Sequence, residues 1–209
     1  MIRLEFGAIE IGTRRSSSHR RRNRRTQVCL PVFLLFLLTV LRSSAGERGL
    51  PAQDGILNFG RVDEVVYRGA QPDAEAMRTL KRLGVKLIIN LRLPGDAWRE
   101  EEAEARANGI QYTNIPMSGI GRPRDEQIRQ VLALCENVSA PVFVHCQYGC
   151  DRTGTVIACY RIQHGGWSSE LALREAERYG ISSLEYQMRR YILAFRPERR
   201  PDQRQASSN

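Results

Sequence analysis

Cys146 and Arg152 stand six positions apart in "PVFVHCQYGCDRTGTVIACYRI" (residues 141–162), where an apolar run meets a glycine-containing stretch and then a second apolar run. If the first run is a strand and the second a helix, residues 147–152 form the turn between them. Backbone N–H groups in such a turn converge on an anion, and the helix N-terminus adds positive potential. The amides of Gln147, Tyr148, Gly149, Cys150, Asp151 and Arg152 are the candidate binding groups. Gly149 permits the tight backbone, and Arg152 can offer two parallel hydrogen bonds to phosphate oxygens, which a lysine cannot reproduce. The same positive environment favours a thiolate and makes Cys146 a nucleophile near neutral pH. A cysteine in that position attacks phosphorus to give a thiophosphate ester, which water then hydrolyses. Backbone dipoles and the guanidinium stabilise the equatorial oxygens, so the chemistry calls for neither metal nor cofactor.

The spacing Cys-x5-Arg alone carries little weight. Its setting makes it specific: an apolar strand, His145 before the cysteine, Gly149 within the turn, then Arg-Thr-Gly and a helix. His145 reads as a residue that orients the loop rather than one that transfers a proton. Thr153 reads either as a hydrogen-bond donor to the Cys146 sulfur or as a helix cap. Cys150 is either a small loop residue or a partner for reversible disulfide protection of Cys146. Cys135, Cys159 and His164 read as structural.

The elements that must position this loop follow from hydrophobic periodicity. "EVVYRG", "VKLIINLR", "IQYTNIPM" and "PVFVH" read as strands. "DAEAMRTLKRLG" reads as a helix opened by Asp73 and closed by Gly84, and "DAWREEEAEARANG" as a charged, mostly solvated one. "DEQIRQVLALCENV" places Ile128, Val131, Leu132 and Cys135 on one face. The helix after the loop begins near Thr153, and two more helical patterns follow. Strands alternating with helices predict an α/β fold with a central, mostly parallel sheet of four to five strands. Ligands of such sheets bind at strand C-terminal ends, where the quoted loop lies.

The formal charge of +9 invites a nucleic-acid reading until it is mapped. Residues 1–45 hold nine arginines against Glu5 and Glu10, leaving about +2 for the remainder, so no nucleic-acid partner is expected. "RRSSSHRRRNRR" precedes the uncharged run Val28 to Leu41, and "SSA" follows. That order reads as a signal peptide directing a secreted or periplasmic domain. If the segment is not cleaved, residues 28–41 attach the chain to a membrane with the domain outside. The predicted organisation is a leader over 1–45, a linker over 46–56, a domain over 57–196 and a disordered tail over 197–209.

"VHCQYGCDRTGT" resembles the signature loop of the cysteine-dependent protein tyrosine and dual-specificity phosphatases. "VYRGAQP", "LIINLR" and "YTNIPM" are similar to segments of compact bacterial, plant and fungal members. The resemblance spans about residues 57–195 and implies Cys146 as nucleophile, Arg152 as phosphate ligand, and a phosphorylated protein as substrate; the alternatives are an inositol phosphate or phosphoinositide substrate, or a phosphate-binding module that has lost turnover. One departure matters. The family supplies a general-acid aspartate about 30 residues before the nucleophile, where this chain has Ser118 and Gly119 in "IPMSGIGRPRDEQI". Asp125 is the first acid available there, although a capping role is its alternative. Asp151 is the other candidate, because phosphoinositide phosphatases of the myotubularin and Sac types also carry an aspartate before the loop arginine. Its alternative is a salt bridge to Arg92 or another arginine.

Overall fold

In the computed structural model of the chain, residues 48–96 and 98–198 are described. The leader read over residues 1–45 lies outside them, as do residues 199–209 of the tail. Among the described residues no helix is long and apolar enough to cross a membrane.

The run "VFVH" forms β5 (Val142–His145), every residue of which is buried. It is the middle strand of a five-stranded sheet, with β1 (Gly60–Arg61), β2 (Val66–Gly69), β3 (Leu87–Asn90) and β4 (Gln111–Asn114). The order is β1-β2-β5-β3-β4, parallel throughout except for β1. Among the described residues six helices flank it: α1 (Ala74–Arg82), α2 (Glu101–Ala107), α3 (Asp125–Asn137), α4 (Asp151–Gln163), α5 (Ser169–Arg178) and α6 (Tyr186–Ala194). The α/β architecture expected from the sequence is therefore present. β1 is an addition: at two residues it is too short to show a period.

Strand alternation sorts the core into two layers. Val142, Val144 and Cys146 pack with Val131 and Leu132 of α3, Val156 and Ile157 of α4, and Tyr191 of α6. Phe143 faces the other way, into Ala76, Met77 and Leu80 of α1 and Ala105 of α2. His145 lies on the Phe143 side, its ring stacked on that phenyl at 5.5 Å. Beyond α4, Ala172 and Ala176 of α5 close onto Ala158 and Ile162.

The parallel register brings three connections to one edge. Gly69 and Asn90 both pair with His145, so the chain leaves β2, β5 and β3 side by side. The Gln71 N–H donates to Gln147 O at 3.2 Å, and the Leu91 N–H to His145 O at 2.9 Å. Two segments differ from their sequence reading. The stretch read as a linker over 46–56 is packed against the domain in its described part: Ile56 is buried, and a Cβ on Gly49 would meet Asn58 and the Tyr179 carbonyl. Helix α2 is charged as expected, yet Glu101 and Ala105, one turn apart, are buried against the sheet.

Candidate active site

Cys146 follows the last residue of β5 directly and is 3% exposed. Helix α4 begins at Asp151, slightly before the Thr153 boundary expected from sequence, so Arg152 and Thr153 lie in its first turn. The turn between them depends on Gly149. Its φ is +69°, and a Cβ there would stand 2.6 Å from the Gly69 carbonyl carbon. Positive φ and backbone contact together restrict the position to glycine.

The loop is held from behind by Arg68 of β2, which sequence reading passed over. This fully buried guanidinium donates Nη2 to Gly149 O at 2.7 Å and lies over the Tyr179 ring, 3.7 Å from its centroid. Burial lowers its pKa to about 10, while Tyr179, Glu175, Cys146 and Cys150 act in the opposite sense. A cation is thus fixed beneath the thiols. The available signal was a charged residue inside a four-residue buried strand.

Arg152 is 8% exposed, and its Nη1 donates to Met117 O at 3.4 Å. The connection after β4 passes close to this guanidinium, since a Cβ on Gly119 would lie 4.0 Å from Arg152 Cζ. Tyr148 and Gln147 are exposed at the rim and hydrogen-bonded to each other at 3.0 Å. Thr153 is not the cap, because Cys150 occupies that position. Its hydroxyl is buried without a hydrogen-bond partner among the described residues.

His145 is fully buried. Its Nδ1 is 3.3 Å from Cys146 O, and its Nε2 is 2.8 Å from Glu101 Oε1. Glu101 Oε2 accepts from Asn90 Nδ2 at 2.8 Å and from Tyr112 OH at 3.3 Å. Burial and the nearby Glu101 together push the Tyr112 phenol up to about 12. Nothing in "EEEAEA" distinguishes Glu101 from its neighbours, so sequence reading had no means of choosing it.

The two acid candidates have other partners. Asp151 Oδ2 accepts from Arg48 Nη2 at 3.0 Å, and its Oδ1 from the Ser182 N–H at 2.7 Å. The salt-bridge alternative is therefore what the fold contains, with Arg48 and not Arg92 as partner. Asp125 is not the α3 cap, which is Arg124. Its carboxylate pairs with Arg122 at 2.8 Å. It lines a groove of about 860 Å³ beside α3 and α6 that shares no lining residue with the loop. Neither carboxylate has a hydrogen bond or ion pair to Cys146 or Arg152 among the described residues.

Cys150 is buried at the back of the loop, where Asn58 Nδ2 donates to its sulfur at 3.1 Å and the thiol reaches the Arg48 and Tyr148 carbonyls. Burial pushes this thiol up to about 11. The four described cysteines are all free. Among the described residues no group of three or more His, Cys, Asp or Glu side chains is placed to hold a metal ion.

This geometry can be compared with known proteins. The family model "DSP-PTPase phosphatase fused to NAD+ Kinase" matches residues 52–192. Dual specificity protein phosphatase TpbA of Pseudomonas aeruginosa is 31% identical over 133 residues, 62% of this chain but only 58% of that protein. Inositol diphosphatase DSP4 of Arabidopsis thaliana is 32% identical over 146 residues, 66% of this chain and 72% of that protein. Among solved structures, the core catalytic domain of the PP-IP phosphatase SIW14 from S. cerevisiae is 26% identical with a TM-score of 0.60. That match covers 77% of this chain and 95% of the other. From the fold, the loop and these matches together, the chain belongs to the DSP-PTPase family of the cysteine-dependent phosphatases.

Proposed function

We propose that the chain hydrolyses phosphomonoesters, of the phosphotyrosine or dual-specificity type, through a cysteinyl-phosphate. The observation that carries this reading is the turn Cys146–Cys150. Gly149 shapes it, Arg68 holds it, and it opens onto the first turn of α4 where Arg152 stands. The thiolate attacks phosphorus, the P–S bond forms as the P–O bond breaks, and the departing oxygen takes a proton. Water then attacks phosphorus and Cys146 leaves as thiolate. Loop amides, the α4 N-terminus and Arg152 stabilise the charge on the equatorial oxygens in both steps. Hydrolysis of an aryl phosphate in excess chelator tests this. Turnover by wild type that disappears in Cys146→Ser supports it, whereas inactive wild type or an active Cys146→Ser refutes it.

A second reading concerns the substrate, and the partners of Asp151 and Asp125 favour it. An alkoxide leaving group depends on a proton donor, whereas a leaving phosphate, with a second pKa of about 6, departs largely unaided. With both carboxylates engaged elsewhere, the site is better suited to the phosphoanhydride of an inositol diphosphate than to phosphoserine. The names of DSP4 and SIW14 point the same way. Comparing kcat/KM for an inositol diphosphate, a phosphotyrosine peptide and a phosphoserine peptide decides it; a phosphoserine peptide hydrolysed as fast as the diphosphate would sink this reading. The basic stretch and apolar run read over residues 1–45 support a location outside the cytoplasm, which cell fractionation tests.

A further inference from the structure

The buried contact between Glu101 and His145 has no role in the steps above, yet it adjoins the nucleophile. Both side chains are fully excluded from water. Their surroundings constrain where protons sit. The group nearest His145 Nδ1 is the Cys146 carbonyl, which only accepts, so Nδ1 carries hydrogen. The group nearest Nε2 is a carboxylate oxygen at 2.8 Å. That is an ion-pair distance, although neither Nε2 nor Oε1 completes a hydrogen bond among the described residues.

We propose that Glu101 is a positioning residue for Cys146. It keeps His145 in the form that donates from Nδ1, and that hydrogen fixes the Cys146 peptide so that the loop amides point at the sulfur. Without the carboxylate, a neutral imidazole in a dry site can place its hydrogen on Nε2. The Nδ1 lone pair then faces the lone pairs of the Cys146 carbonyl, and the peptide turns away. The fold supports the carboxylate for this task. Asn90, whose strand neighbour is His145, donates to Glu101 Oε2, as does Tyr112 from β4. Arg68 from β2 and the Cys150 thiol also bear electrostatically on the sulfur. Neither of them contacts the His145 ring among the described hydrogen bonds and ion pairs.

This inference rests on Cys146 being a reactive thiolate, and its test does not require turnover. The rate of Cys146 alkylation by iodoacetamide is followed against pH by peptide mass spectrometry in the full chain, for wild type and Glu101→Gln. In parallel, the 15N shifts of His145 are recorded in wild type. The expected result is an Nδ1-protonated ring, with an alkylation midpoint at least about one pH unit higher in Glu101→Gln. An unchanged midpoint in a folded Glu101→Gln overturns the proposal, and so does a wild-type ring carrying hydrogen on Nε2 alone. If Glu101→Gln does not fold, the wild-type spectrum decides. Should wild type alkylate readily at neutral pH yet hydrolyse no phosphate, the proposed function fails while this inference stands.

Discussion

Asp151 shows how far a residue's neighbours in sequence differ from its neighbours in space. It precedes Arg152 in the chain, and the resemblance of that adjacency to the myotubularin and Sac loops made it an acid candidate. Helix geometry sends consecutive side chains in directions about 100° apart, so Arg152 reaches Met117 while Asp151 reaches Arg48 and Ser182. Its ion pair is half-exposed on the Arg48 side and contributes little alone, about 0.5 kcal/mol, with about 1 kcal/mol more from the Ser182 amide. Asp151→Ala is therefore expected to lower Tm by about 3–6 °C. Aryl phosphate kcat should stay within about threefold, whereas removing a general acid costs about 10²–10⁴-fold. A loss of that size, with the acidic-side limb of the pH profile altered, would restore Asp151 as the acid. The spacing of Cys146 and Arg152 was legible because a strand end, a glycine turn and a helix start fix it locally. Glu101 and Arg48 were not, because each acts through tertiary contacts that leave no local pattern, and Arg68 left only a charge within an otherwise apolar strand.

At the scale of elements, the strands and helices were readable because each buries one face or both. Val142, Val144 and Cys146 serve one layer and Phe143 the other. What periodicity does not show is how closely two connections approach. The turn after β5 touches the end of β2 backbone to backbone at Gly149. A methyl group there meets the Gly69 carbonyl carbon at 2.6 Å, and neither partner is a side chain that can rotate away. The left-handed φ of +69° adds about 1 kcal/mol of strain for alanine. Gly149→Ala must move either the loop or β2, and the Arg68 hydrogen bond to Gly149 O resists the first. The expected outcome is a destabilisation of about 2–4 kcal/mol. Affinity for a phosphate mimic such as vanadate should fall by more than tenfold, measured by competition. Unchanged vanadate affinity would mean that the amides keep their direction and that Gly149 serves packing alone.

For the whole molecule, buried acids and the N-terminal strap set the stability. Burial raises Cys150 to about 11 and Cys135 to about 12, from an ordinary thiol value of 9.0. The unfolded chain therefore ionises first. The stability these groups contribute is complete below about pH 9 and is lost as pH rises towards their folded values. Denaturant midpoints should be flat below about pH 9 in this respect and fall above it, and Cys150→Ala should soften the fall. The strap over residues 48–58 includes most of the stretch that reads as a linker in sequence. In space Asn58 donates to Arg48 O, Tyr148 O and the Cys150 sulfur, and accepts from the Leu50 N–H. It therefore ties the strap to the loop. Burying Ile56 contributes about 2–3 kcal/mol, and a hydrogen-bonded amide as buried as Asn58 costs about 1–3 kcal/mol to remove. A chain beginning at Gly46 is expected to keep its Tm and its vanadate affinity. One beginning at Gly60 should lose on the order of 10 °C and bind vanadate more weakly, because the carbonyl of Tyr148 and the sulfur of Cys150 lose their donor. Equal Tm values for the two chains, read by calorimetry, would show that the strap only rests on the domain. A lowered Tm with unaltered vanadate affinity would show that it steadies the fold without reaching the loop.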